Sequence, residues 1–165
     1  MSPLDSIRYQ KSFLRVGFMS MDPNTGHVKA YVGGPDFTHF QYDMASVGRR
    51  QIGSTVKPFL YTLAMEEGFT PCDMFLNEQP TLITEDGKPW SPRNSSKARV
   101  GEMVSLRWGL ANSNNWISAR LMDKLSPSSL ARLMHSFGIK NKIDEVISLC
   151  LGPVEVSVEE MVTAY

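Results

Sequence analysis

Residues 49–61 read RRQIGSTVKPFLY and set Ser54 and Lys57 three positions apart at the head of an apolar run. Beyond them Val56, Phe59, Leu60, Leu63 and Ala64 recur at helical spacing until Gly68 stops the pattern near Glu67. The spacing predicts a helix from about residue 54, with Ser54 at its N-cap or first turn. Pro58 then falls inside the first turn, where its missing N–H costs little. Lysine is seldom buried without a partner, so Lys57 among Val56, Phe59 and Leu60 needs a reason.

Two reasons are open. In the first, Ser54 only caps the helix and Lys57 snorkels to water. In the second, the two side chains share a helix face and the hydroxyl meets the amine. A lysine desolvated at the positive end of a helix loses affinity for its proton and becomes a base, which a serine needs before it can attack an amide. The same helix end offers the Ser54 N–H to an oxyanion.

A second stretch, ANSNNW at 111–116, holds Ser113 and Asn115 in an SxN arrangement between two predicted helices. Ser and Asn are ordinary connector residues. A hydroxyl and a carboxamide at such a junction can also relay a proton and hold a substrate amide, because Asn both donates and accepts.

Around these stretches the chain reads as mixed α and β. FLRVGFMSM (13–21) and GHVKAYVGG (26–34) are β-rich runs separated by the turn chemistry of Pro23, Asn24 and Gly26, which predicts an antiparallel hairpin over about 13–34. Residues 35–50 lack a steady period and read as a loop. The proline-punctuated stretch 70–100 reads as a long excursion with a short strand at TLITEDG. From about 101 to 165 four helices are expected, in VSLRWGLANS, WISARLMDKL, PSSLARLMHSFG and the last segment. Ser126 before Pro127 marks one start and Gly138 that helix's end, while Ser157 with Glu160 forms a capping-box signature. The last helix runs about two turns before Tyr165, which suggests a chain cut from a longer one.

Bulk composition removes several classes of function. The 165 residues, 42% of them hydrophobic, suffice for one domain with a core. Seventeen basic and seventeen acidic side chains cancel, so the chain lacks the positive field of a nucleic-acid or anionic-membrane binder. No apolar run is long enough to span a membrane, and the first residues show no charged n-region followed by an apolar h-region. Cys72 and Cys150 stand outside any metal spacing, and His27, His39 and His135 are scattered, so neither a metal nor another cofactor is expected. The cysteines fit a disulfide or two thiols, with thiols the better reading. Tyr31, Phe37 and Phe40 either pack the hairpin or line a substrate approach, with core packing the better reading.

SxxK followed by SxN makes the first two of the three boxes of serine penicillin-binding enzymes. On those motifs the chain resembles the transpeptidase domain of bifunctional, class A penicillin-binding proteins. MDPNTGHVKAYVGG resembles that family's opening hairpin, RRQIGSTVKPFLY its nucleophile segment and GKPWSPRN its Pro-Asn stretch. GEMVSLRWGLANSNN is similar to the approach to SxN, and LGPVEVSVEEMVTAY to the segment leading toward the third box. The resemblance implies an α+β, penicillin-binding transpeptidase-like fold, here an N-terminal sheet hairpin plus most of a helical subdomain. It implies Ser54 as the acylated nucleophile, Lys57 as its base and Ser113 as proton relay to the leaving amine. Asn115, Asn94 and Trp90 would bind substrate.

The implied reaction is attack on the D-Ala-D-Ala bond of a peptidoglycan stem peptide and acyl transfer to an amine of a neighbouring strand. β-Lactams would acylate the same serine. The resemblance further implies other wall-synthesis proteins as partners, a membrane-anchored parent protein working on the extracytoplasmic face of a bacterial inner membrane, in the periplasm, and a glycosyltransferase domain in that parent.

Two departures stand out. QIG replaces the family's usual Gln-Pro-Gly, and no Lys-Thr-Gly or Lys-Ser-Gly occurs anywhere. The expectation is a chain carrying part of a transpeptidase domain and acylating slowly by itself. A serine β-lactamase or D,D-carboxypeptidase shares the SxxK and SxN logic, but no acidic residue here can be assigned to activating water. A non-catalytic module used for partner binding would have no need to retain Ser54, Lys57, Ser113 and Asn115.

Overall fold

The computed structural model describes residues 2–165. The chain forms two compact units, one built from the residues up to Arg50 together with Val156–Tyr165, the other from Gln51–Glu155.

The first unit opens with helix α1 (Pro3–Ser12), which the sequence reading left unassigned. Its signal was present in Ser2-Pro-Leu-Asp5. Ser2 Oγ accepts from the Asp5 N–H, the Asp5 carboxylate accepts from the Ser2 N–H, and Pro3 occupies a position whose N–H would go unused. Strand β1 (Phe18–Met21) pairs antiparallel with β2 (Val28–Val32), with a bulge between Ser20 and Met21. Asp22 Oδ1 closes the turn by accepting from the Asn24 and Thr25 N–H groups. The pairing is shorter than the 13–34 span because Phe13 is engaged elsewhere, edge-on to Tyr9 and near Phe40.

Of the three aromatics expected to pack the hairpin, Phe37 is 77% exposed and Tyr31 is also exposed. Tyr31 instead donates its hydroxyl to Asp43. That bond, with the Ser46 and Ala45 N–H groups, holds the Asp43 carboxyl down to about 2. Helix α6 (Val158–Ala164) closes the unit against β1, opened by the Ser157–Glu160 capping box; Glu160 also takes the Arg49 guanidinium at 2.6 Å.

The second unit carries most of the buried apolar side chains. A 3₁₀ turn (Gly53–Val56) leads into α2 (Lys57–Glu66). The change of helix type has a local cause: in an α-helix the Ser54 carbonyl would accept from residue 58, but Pro58 has no N–H. The Lys57 N–H takes that carbonyl, in the i to i+3 manner of a 3₁₀ turn. α2 buries Phe59, Leu60, Leu63 and Ala64 against α3 (Leu106–Ala111), α4 (Asn115–Lys124) and α5 (Pro127–Ser136). Ile117, Leu121, Met122, Leu130 and Met134 complete the core.

Two short antiparallel ladders brace the excursion before α3. Met74–Leu76 pairs with Met103–Ser105, and Leu82–Ile83 with Pro89–Trp90. Ser105 therefore ends a strand and caps α3 through its hydroxyl, two positions later than the helix expected from Val104 onward. A 3₁₀ segment, Ile147–Leu151, packs on α4 and on the 53–56 turn. Both cysteines are free thiols, Cys72 exposed and Cys150 buried.

Candidate active site

Lys57 projects from the first turn of α2 and is 1% exposed. Its ammonium is fully engaged: Nζ donates to Ser113 O at 2.6 Å, to Ser113 Oγ at 2.9 Å and to Asn115 Oδ1 at 2.8 Å. Burial strips water from the charge and lowers the lysine pKa to about 8. The neighbouring Cys150 thiol is pushed up to about 12 by its own burial, so at neutral pH it is uncharged and gives Lys57 no counter-ion.

The three oxygens converge because of how α3 ends. The Ser113 N–H returns to Leu110 O and the Asn114 N–H to Gly109 O, closing the helix with Ser113 in the left-handed region at φ 48°. Glycine is the usual occupant of such a position, and a side chain there costs about 1–2 kcal/mol. The strain turns both oxygens of Ser113 toward Lys57.

Asn114 then starts α4. Its Oδ1 caps the Trp116 and Ile117 N–H groups, and its Nδ2 donates to Asn77 Oδ1 at 2.9 Å. Asn115, one residue on, directs Oδ1 at Lys57, donates Nδ2 to Arg93 O at 2.8 Å and donates its backbone N–H to Asn94 Oδ1 at 3.1 Å.

Four of the six residues singled out from sequence, Lys57, Ser113, Asn115 and Asn94, thus form one hydrogen-bonded cluster. Ser54 sits exposed on the 3₁₀ turn, one turn from Lys57, and its hydroxyl is not among the partners of Nζ. The expected Ser54–Lys57 bond is absent because the three lysine donors are spent on Ser113 and Asn115. Trp90 is half-buried in its two-residue strand and takes no part in the hydrogen bonding.

What holds the Ser54 turn is backbone. The Gly53 N–H donates to Gly152 O at 3.0 Å, and the Ile52 N–H to Val154 O at 3.1 Å. Gly152, at φ 70°, lies so close that a Cβ there would stand 2.1 Å from Gly53 O. Sequence reasoning missed Gly152, Asn77 and Asn114. Asn114 had a signal, an Asn directly before an amphipathic helix; Asn77 had none.

Among the described residues no cluster of three or more His, Cys, Asp or Glu is placed to hold a metal, and no helix is long and apolar enough to cross a membrane. No carboxylate bonds to Lys57, Ser113 or Asn115 among those residues.

Residues 16–149 match the penicillin-binding protein transpeptidase domain family, and the chain belongs to that family. It is 37% identical over 149 residues to penicillin-binding protein 1A of Rickettsia conorii, covering 89% of this chain and 19% of that protein. It is 35% identical over 155 residues to penicillin-binding protein 2D of Bacillus subtilis, covering 93% and 22%. Among solved structures it resembles penicillin-binding protein 1A of Haemophilus influenzae with a TM-score of 0.84 at 28% identity, covering 92% of this chain and 22% of that one. The fold is the α+β fold of penicillin-binding transpeptidases. The chain spans about a fifth of the length of the curated relatives it matches.

Proposed function

We propose that this chain carries the nucleophile, the base and the proton relay of a peptidoglycan D,D-transpeptidase. One observation carries the reading: a buried lysine with no carboxylate partner is bonded by all three donors to the serine and asparagine of SxN. A structural lysine would be paired with an acid or would reach water. With a pKa of about 8, about one tenth of Lys57 is neutral at pH 7. A neutral amine keeps two protons for Ser113 O and Asn115 Oδ1 and presents a lone pair to a hydroxyl.

In the reaction, Ser54 Oγ attacks the carbonyl carbon of the penultimate D-alanine of a stem peptide, and its proton passes to Lys57 Nζ. The C–N bond breaks as a proton reaches the leaving D-alanine amine through Ser113 Oγ, leaving an ester on Ser54. An amine of a neighbouring strand then attacks the ester, an amide forms, and Ser54 Oγ recovers its proton. Asn115 and Asn94 flank the substrate amide, and Trp90 lines its approach. β-Lactams open on Ser54 by the same first step. Among the described residues no carboxylate bonds to Lys57, Ser113 or Asn115, so no acid is placed there to activate water as a β-lactamase would, which favours a long-lived acyl-enzyme over β-lactamase turnover.

The parent protein, on this reading, is anchored in the inner membrane and works on its extracytoplasmic, periplasmic face beside other wall-synthesis proteins. A glycosyltransferase domain in the same polypeptide fits the class A relatives. The test is the intact mass after incubation with a penicillin, for this chain and for any longer polypeptide its gene encodes, each beside its Ser54→Ala counterpart. One adduct on the parent and none on Ser54→Ala is expected. Adducts on both, or on neither at any length, would sink the assignment.

A further inference from the structure

Asn77 is wholly buried, 0% exposed, just after the Met74–Leu76 strand, and is not bonded to Lys57, Ser113 or Asn115. Its backbone is already satisfied, the N–H donating to Glu102 O at 2.9 Å and the carbonyl accepting from the Gly101 N–H at 3.0 Å. Its carboxamide is therefore free for another use, and both of its donors and its oxygen are engaged on the way to the site. Nδ2 donates to Ala98 O and to Arg99 O, both at 2.9 Å, and Oδ1 accepts from Asn114 Nδ2 at 2.9 Å.

Those three bonds join two pieces of chain that meet again at Asn115. On one side, Asn114 is 2% exposed and lies between Ser113 and Asn115, whose oxygens hold Lys57. On the other, the segment ending at Ala98 and Arg99 carries Arg93 O and Asn94 Oδ1, the two partners of Asn115 not supplied by α2. Arg99 itself lies at φ 55°, a conformation that a non-glycine residue keeps only when its surroundings fix it. A carboxamide is suited to this place, since it offers two donors to the carbonyls and one acceptor to Asn114. Aspartate lacks the donors, and an apolar residue takes the partner from buried Asn114 Nδ2 and the carboxamide donor from the Ala98 and Arg99 carbonyls.

We propose that Asn77 is a positioning residue of the transpeptidase site: it locks the 93–99 segment to the SxN junction, and through that lock fixes Asn115 and the lysine it holds. The proposal rests on the transpeptidase reading only for its consequence on acylation. The lock itself is a statement about which backbone groups lose protection when the carboxamide goes.

The test is amide hydrogen exchange on Asn77→Ala, with penicillin labelling measured in parallel. The Asn115 N–H, bonded to Asn94 Oδ1, should exchange about tenfold faster or more. The Trp116 and Ile117 N–H groups, capped by Asn114, and the α2 core amides should stay within about twofold of the parent. Acylation should slow about tenfold or more, the cost of a small misplacement near reacting groups. Uniform deprotection of Asn115, Trp116, Ile117 and the core would mean that Asn77 serves general stability, and unchanged Asn115 exchange would mean that no lock exists; either overturns the proposal. Should Asn77→Ala not fold, Asn114→Ser keeps a good helix cap yet cannot reach Asn77, and the same selective loss at Asn115, smaller in size, is expected. Unlabelled parent protein with selective loss at Asn115 would defeat the transpeptidase reading and leave the lock standing. Labelled parent with Asn115 protection unaltered in Asn77→Ala would do the reverse.

Discussion

The 113–115 junction and the 53–56 turn carry the two halves of the proposed site, and they are held by different means. The junction is fixed by side chains: Ser113 in a strained left-handed conformation, Asn114 and Asn115 each bonded through both carboxamide oxygen and nitrogen, and a buried ammonium closing the arrangement. The turn leans through its backbone on the Gly152–Val154 strip, with only the Thr55 hydroxyl closing it onto Ile52 O at 2.7 Å, while the Ser54 hydroxyl stays exposed and unbonded to Lys57. A base must be kept dry and oriented to hold a lowered pKa. A nucleophile must be open to substrate. The contrast predicts that changes at the junction or at Lys57 alter chemistry and stability together, whereas changes at the Ser54 side chain alter chemistry alone.

The sharpest way to break this contrast is Ser54→Ala. Loss of the penicillin adduct should be complete, while the unfolding free energy moves by less than about 0.5 kcal/mol, the usual range for an exposed substitution away from caps and cores. Denaturant melts beside intact-mass spectra test both halves of that statement. A large stability loss would mean that the hydroxyl anchors the turn after all.

Lys57→Met comes next. Acylation should fall about 10³-fold, within the range expected for losing a positioned base. The same variant should melt above the parent, because a buried charge without a counter-ion gives way to a flexible apolar chain of similar length. Thermal unfolding at pH 7 checks it. A clear drop in melting temperature would show that the three hydrogen bonds outweigh the desolvation of the charge.

Gly152→Ala probes the turn from behind. A Cβ 2.1 Å from Gly53 O cannot be accommodated, and alanine is strained at φ 70° as well, so the strip must move and carry Gly53 with it. A destabilisation of about 2 kcal/mol or more is expected, with slower labelling at Ser54 and Lys57 left buried. Labelling at the parental rate would mean that the turn is held from elsewhere.

How much of this was legible in the sequence follows from the range of each interaction. The helices α2 to α6 could be read because their apolar period and caps are local; Ser126, Ser157 and Gly138 stand where the punctuation put them. Lys57, Ser113 and Asn115, which the fold brings together, could be singled out because each motif spans four residues or fewer. The three-residue ladder of Met74–Leu76 with Met103–Ser105 could not, since its partners lie far apart and neither strand is long enough to show alternation. Lys57 reaches 56 and 58 positions along the chain to its partners, so periodicity gave the helix face but not the choice between Ser54 and Ser113. Asn77 is silent for the same reason: its three bonds span 21 to 37 positions. Phe37 was misread because an aromatic beside a hairpin packs only if another element covers it.

The smallest expected effect is a pH dependence, and it separates a lysine base from a lysine that merely binds. If neutral Lys57 takes the Ser54 proton, acylation should rise about tenfold per pH unit below pH 8 and level off above it. A lysine needed only as a cation would give the opposite slope, with labelling lost as pH climbs through 8. Stability supplies an independent check on the same group. Its folded pKa, about 8, lies below the unfolded value of 10.5, so both states hold the proton below pH 8 and the full cost of burying the charge is present there. Between pH 8 and 10.5 the folded protein has released that proton while the unfolded chain still binds it, so the Lys57 contribution to stability must increase with pH across that window. Melting curves of the parent and Lys57→Met should therefore converge as pH is raised from 8 toward 10.5. A constant gap would mean that Lys57 keeps its proton in the fold, and the base assigned to Ser54 would have to be sought elsewhere.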